Sequence, residues 1–209
     1  MTDIPRRKID ELRARYELEP TIHDLYVEGI FDQDVLSRYI EKKHLIGLVV
    51  YTIDTVEVPS ALLHENGLTP GEKQEVIALA RQLASIPGAC SYRCIVDRDL
   101  DEWLGRIETT PRLLWTKYCS LELYFFTEEL LREVLVITAK SRISDFSRFV
   151  GSVVRVLREL YSVRLADAEL GWAMKWLDFE DHLIKQSSWI EFNEQEYVRR
   201  LLMKNGRIK

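Results

Sequence analysis

Cysteine is scarce in this sequence: Cys90, Cys94 and Cys119 form an odd set with neither CxxC nor Cys/His metal spacing. They lie in or beside predicted strands and read as reduced core thiols, so a disulfide framework and a zinc site lack support. Histidine is equally sparse, and none of His23, His44, His64 and His182 stands at ligand spacing from another. Neither a GxSxG turn nor a paired Cys and His motif offers a catalytic nucleophile. No apolar run approaches the roughly 18 residues that span a bilayer. The N-terminus, where Arg6, Arg7 and Lys8 precede Asp10 and Glu11, has no signal-peptide apolar core. These absences predict a cytoplasmic protein without membrane contact. Positive charge is also in deficit, since a net −5 over 209 residues argues against indiscriminate coating of nucleic acid while allowing a local basic face. The cations of the last eleven residues, Arg199, Arg200, Lys204, Arg207 and Lys209, read as a solvated helix end that suits the macrodipole.

Two acidic signatures stand out against this background. Leu25-Tyr26-Val27-Glu28-Gly29 and Cys94-Ile95-Val96-Asp97-Arg98-Asp99 are apolar runs that stop abruptly at carboxylates. Buried strands that end this way bring their acids together at the carboxyl edge of a sheet, where open α/β folds hold ligands. Three carboxylates on one edge suggest a divalent metal.

The order of elements supports that edge. Residues 1–20 read as a short charged helical appendage, with Ile9, Leu12 and Tyr16 on one face and Pro20 as its stop. A strand over 22–27 precedes a helix from Asp32 to about Lys43, with Val35, Leu36, Tyr39 and Ile40 toward the core. A β-rich run covers 48–58. Thr69 then caps a helix starting at Pro70, with Glu72 in the capping-box position and Pro87-Gly88 as its end. Strands at 92–96 and 113–118 complete a β-α-β-α-β-β order, which requires a mainly parallel sheet flanked by helices. Beyond Thr127 strand signals vanish. One helix runs from Thr127 to about Ile137, and Phe146, Val150, Val153, Leu157 and Leu160 form a single apolar seam on the next. Trp172 and Trp176, one turn apart, read as core contacts, and a last helix spans about 194–203. The expected organisation is thus an appendage (1–20), an α/β domain (21–137) and an α-helical C-terminal extension (138–209).

Glu28-Gly29 with Asp32, followed by Asp97-Arg98-Asp99, resembles the catalytic pattern of the Toprim domain found in topoisomerases, primases and nucleases of the overcoming-lysogenization-defect type. It is similar in particular to the Toprim-like DUF4435 family, whose pattern is an EGxxD turn, a D-x-D loop and a third acidic block. Ser120-Leu121-Glu122-Leu123-Tyr124 resembles that block, with Ser120 where an aspartate is common. The likeness covers residues 22–137. It implies a nuclease that uses Mg2+ or Mn2+ to hydrolyse phosphodiester bonds in RNA, transfer RNA included, or DNA. It also implies a toxic effector of bacterial antiphage defence, controlled by an ATPase partner. The implied catalytic core is Glu28, Asp97 and Asp99, with Asp101 and Glu122 as further metal ligands.

The residue chemistry is compatible. Magnesium prefers octahedral oxygen coordination and takes one or two protein carboxylates together with water and substrate phosphate. On an extended loop Asp97 and Asp99 point the same way, and Asp101 repeats the spacing and reads equally as a ligand through water or as a solvated loop acid. Glu28 is a second-metal ligand or a general base. Gly29 permits a sharp turn beneath the next helix N-terminus, Asp32 reads as that helix's N-cap, and Glu102 as a solvated acid. Arg98 serves either phosphate or the neighbouring acids, and Lys117 either a transition state or the surface. The helical extension is available for homodimerisation, ATPase docking or substrate selection. A different class of function also suits the chain: a non-catalytic Toprim-like binding or regulatory module of a larger ATPase complex. Nucleotidyl transfer of the primase kind is a third.

Overall fold

The structure, a computed structural model, describes residues 5–86 and 91–208. Cys90 and the expected helix stop at Pro87-Gly88 lie outside the described residues. The chain divides into two compact units, Met1–Leu121 and Glu122–Lys209.

The first unit opens with a two-residue strand β1 (Arg7–Lys8), helix α1 (Ile9–Leu18), strand β2 (His23–Val27), helix α2 (Ile30–Lys42) and strand β3 (Leu48–Thr52). Strand β4 (Val56–Glu57), helices α3 (Ser60–Glu65) and α4 (Glu72–Leu83), then strands β5 (Ser91–Val96) and β6 (Leu113–Trp115) complete it. The main sheet has the order β3-β2-β5-β6, and every pair in it is parallel. This is the mainly parallel, helix-flanked sheet that the sequence predicts. Alternation along the strands gives each face its own core. Tyr26, Tyr92, Cys94 and Val96 pack with Leu12 and Tyr16 of α1 and with Val76, Leu79, Ala80 and Leu83 of α4. Leu25, Val27 and Val50 face the other way, against Leu36 and Ile40 of α2 and Ile95. Each fully buried side chain of leucine size contributes about 1.5–3 kcal/mol relative to exposure, so α1 and α4 hold the sheet chiefly through their apolar stripes.

Local chemistry shifts several boundaries. The expected run over 48–58 breaks after Thr52 into a 3-10 turn, Ile53–Thr55, before resuming as β4. There the Thr52 hydroxyl donates to Asp54 and the Thr55 hydroxyl to the Thr52 carbonyl, local bonds that compete with a ladder. Helix α4 starts at Glu72, not Pro70, because Gly71 sits at φ 143°, a backbone state open essentially to glycine that sets the helix start after Thr69 and Pro70. Gly29, not Asp32, is the N-cap of α2; Asp32 lies inside the first turn and accepts the Gly29 N–H at 3.2 Å. Tyr39, expected toward the core, is 54% exposed beside Lys43.

The second unit contains α5 (Glu128–Arg132), a π-helical turn over Glu133–Thr138, α6 (Phe146–Leu170), the antiparallel strands β7 (Leu183–Lys185) and β8 (Ile190–Phe192), and α7 (Glu194–Lys204). Thr127 caps α5 by accepting the Leu130 N–H. The expected single helix to Ile137 therefore changes its winding midway. The β7–β8 hairpin corrects the expectation that strands end at Thr127: three residues per strand are too few to show a period of two. Trp172 and Trp176 lie on non-helical chain after Gly171, whose φ of 62° ends α6. Trp172 packs on the cluster of Val156, Met174, Phe192, Tyr197 and Leu201, whereas Trp176 is exposed. Among the described residues, no helix is long and apolar enough to cross a membrane.

Candidate metal centre

The strand order carries a topological switch point. From β2 the chain crosses to β3 on one side and later to β5 on the other. Parallel strands that leave in opposite directions open a crevice at their carboxyl ends, the usual ligand position in such sheets. Glu28 directly follows β2 and Asp97 directly follows β5, so both acids stand at that crevice.

One hydrogen bond joins them: the Asp97 backbone N–H donates to Glu28 Oε1 at 2.7 Å. Burial raises the Glu28 carboxyl, and the negative charges of Asp97 and Asp99 raise it further. The bond from Asp97 N–H and the positive charge of Lys73 work in the opposite direction, and the group stands at about 7. Glu28 is consequently divided between its acid and its carboxylate near neutrality.

The loop after β5 is not the extended segment expected. Asp99 has φ 44°, a left-handed state that aspartate tolerates better than most residues but that still marks a held conformation. Its N–H donates to the Cys119 carbonyl at 2.7 Å. Thr116, buried at the end of β6, secures the same loop by accepting the Arg98 N–H at 3.0 Å while its hydroxyl donates to the Tyr118 carbonyl at 2.7 Å. The turn reverses the expected pairing of the acids. Asp97 Oδ1 accepts the Leu121 N–H at 3.1 Å. Asp99 and Asp101, rather than Asp97 and Asp99, converge on one cation, the ammonium of Lys73, at 2.9 and 2.5 Å.

Lys73 was not legible as a site residue in the sequence. It lies in the first turn of α4, where the macrodipole disfavours a cation, and that mismatch is the signal that could have marked it. Burial lowers its pKa, but the carboxylates of Asp101 and Asp99 prevail and hold it above the ordinary lysine value. Its ammonium also lies 5.4 Å from the ring centroid of Trp115. Arg98 is engaged within the protein, with its guanidinium 2.9 Å from Glu102 and its Nε donating to the Thr116 carbonyl. Lys117 is exposed beside the Tyr118 ring. Glu122 begins the second unit, exposed in a 3-10 turn over Leu121–Phe125.

These donors fit a hard divalent cation by type, because all are oxygens, and by charge, because Asp99 and Asp101 pair with the ammonium of Lys73 and Glu28 lies within reach of its charge. Among the described residues no three His, Cys, Asp or Glu side chains already converge as a metal cage; the acids meet in pairs, Glu28 with the Asp97 backbone and Asp99 with Asp101 through Lys73. No protein-family profile and no curated protein matches this chain.

Proposed function

We propose that the chain is a nuclease, dependent on magnesium or manganese, that hydrolyses phosphodiester bonds in RNA or DNA. The observation that carries this reading is the Glu28–Asp97 bond at the switch point of the parallel sheet, which ties the carboxylate that follows β2 to the backbone of the acid that follows β5. Glu28, Asp97 and Asp99 would hold the metal, with Asp101 as a further ligand. The bound ion would lower the pKa of a coordinated water and neutralise charge on the leaving oxygen. Glu28, balanced near pH 7, is suited to take a proton from an attacking water and release it again. Gly29, which leaves open space where a Cβ would stand, lets a phosphate approach the first turn of α2. The Toprim-like resemblance of these acidic blocks extends the proposal to an effector of antiphage defence under an ATPase partner.

A second reading is favoured by Lys73, whose ammonium neutralises part of the acidic cluster. Under that reading the fold is a non-catalytic binding module of a larger assembly. Incubating labelled RNA and DNA with the wild type and Glu28→Gln across a magnesium or manganese titration separates the two. Cleavage that requires both the ion and Glu28 supports the nuclease. Substrate left intact at every concentration of either ion favours the module.

A further inference from the structure

Lys73 touches two of the loop acids at once, and its environment explains why it stays there. The ammonium is held by Asp99 at 2.9 Å and Asp101 at 2.5 Å, with its side chain only 13% exposed. It belongs to the first turn of α4, while both acids belong to the loop after β5, so the contact ties a helix start to the loop that forms half of the candidate centre. Asp99 reaches it from a left-handed backbone state secured by the Cys119 carbonyl. Arg106 lies at 4.0 Å from Asp101 on a mostly exposed side chain and is a weaker counter-charge.

We propose that Lys73 is a resident counter-cation that competes with the divalent ion for Asp99 and Asp101, so that metal binding and release of the ammonium are one exchange. The inference rests on the metal-site reading above. Two carboxylates that meet at one point repel, the more so because Asp101 is largely buried while Asp99 stays open to solvent, and a cation between them offsets that repulsion. Lysine supplies it as a flexible point charge that can leave, where arginine would clamp both oxygens through its planar fork. The exchange has two consequences. It weakens apparent metal affinity by the free energy of the two ion pairs that must break, and it keeps the loop ordered when metal is scarce. The centre is then silent at low divalent concentration without any partner protein.

Manganese alone, titrated onto the purified full chain by calorimetry, tests this. Lys73→Met keeps the apolar stem and removes the charge. It should bind manganese about tenfold or more tightly than the wild type, and should melt at a lower temperature in chelator, with the difference vanishing at saturating metal. Lys73→Arg should bind no more tightly than the wild type. A folded Lys73→Met with unchanged or weaker affinity overturns the proposal. The wild type gives an independent measure should that variant fail to fold. Acetylation of Lys73, followed by mass spectrometry with the other lysines as internal standards, should accelerate when saturating magnesium is added; an unchanged or slower rate overturns the exchange. Glu28→Gln keeps the two failures apart. If manganese binds the wild type, binding falls in Glu28→Gln, and Lys73→Met gains nothing, only the exchange fails. If no protein binds manganese, the metal reading and the exchange fall together. If binding tightens as expected while RNA and DNA stay intact, the exchange stands and the nuclease reading falls.

Discussion

Glu28 accepts the backbone N–H of Asp97 at 2.7 Å, and the bond links the ends of β2 and β5. A glutamine side chain can accept the same N–H, so Glu28→Gln removes the charge and keeps the bond. The wild-type carboxyl is raised from 4.5 to about 7 in the fold, which means that the folded state binds this proton more tightly than the unfolded chain. Ionisation therefore opposes folding: the contribution is intact below 4.5, declines as pH rises toward about 7, and is fully lost above it. In chelator at about pH 8, Glu28→Gln should be more stable than the wild type by about 1–3 kcal/mol, and the difference should close by about pH 4.5. Urea unfolding at the two pH values measures it.

Thr116 is the residue that holds the second acidic loop to β6. Thr116→Val preserves shape and removes the acceptor for the Arg98 N–H together with the donor to the Tyr118 carbonyl. The loss should be about 1–2 kcal/mol, with faster hydrogen exchange at the amides of Arg98 and Asp99 and little change in β2. Exchange that slows, or that quickens equally across the sheet, would contradict a local anchoring role.

Inside the first core a polar pair stands among apolar neighbours. The Tyr16 hydroxyl donates to Asp24 Oδ2 at 2.8 Å and lies 2.8 Å from the Tyr26 hydroxyl, while Arg15 approaches the same carboxylate at 3.5 Å. Asp24 is fully buried and its other oxygen has no hydrogen-bond partner. Tyr16→Phe removes a donor from a buried charge and should destabilise the fold by about 2–3 kcal/mol. Combined with Asp24→Asn in a double-mutant cycle, the two effects should fall short of additivity.

The two acidic strand ends and the parallel sheet were legible because each depends on a short local pattern. An apolar run stopping at Glu28 or Asp97 reads the same way in sequence and in space. What the sequence could not show is which acids pair, since that depends on the left-handed turn at Asp99 and on Lys73 arriving from a helix 26 residues away. The seam of α6 illustrates a second kind of loss. Spacings of four and three suit a 3.5-residue period, but a straight helix turns every 3.6 residues and drifts away from it. Over the 25 residues of α6 the buried stripe leaves Leu157, which is 42% exposed, for Val156, which is 3% exposed. Val156→Ala should therefore cost about 1.5–2.5 kcal/mol, and Leu157→Ala less than about 0.5, by urea unfolding. The reverse order would restore the heptad seam.

Metal binding should also be read through its protons. A carboxyl that stands at about 7 in the metal-free chain is mostly protonated at about pH 6, and a divalent ion held by Glu28 requires the ionised form. Manganese binding to the wild type should accordingly release close to one proton per site at about pH 6, about half at pH 7 and almost none by about pH 9. Calorimetry in two buffers of different ionisation enthalpy gives the number directly. Glu28→Gln, which has no proton to surrender, should bind manganese with none released at any of these pH values, and a proton count that persists in that variant would place the titrating ligand elsewhere.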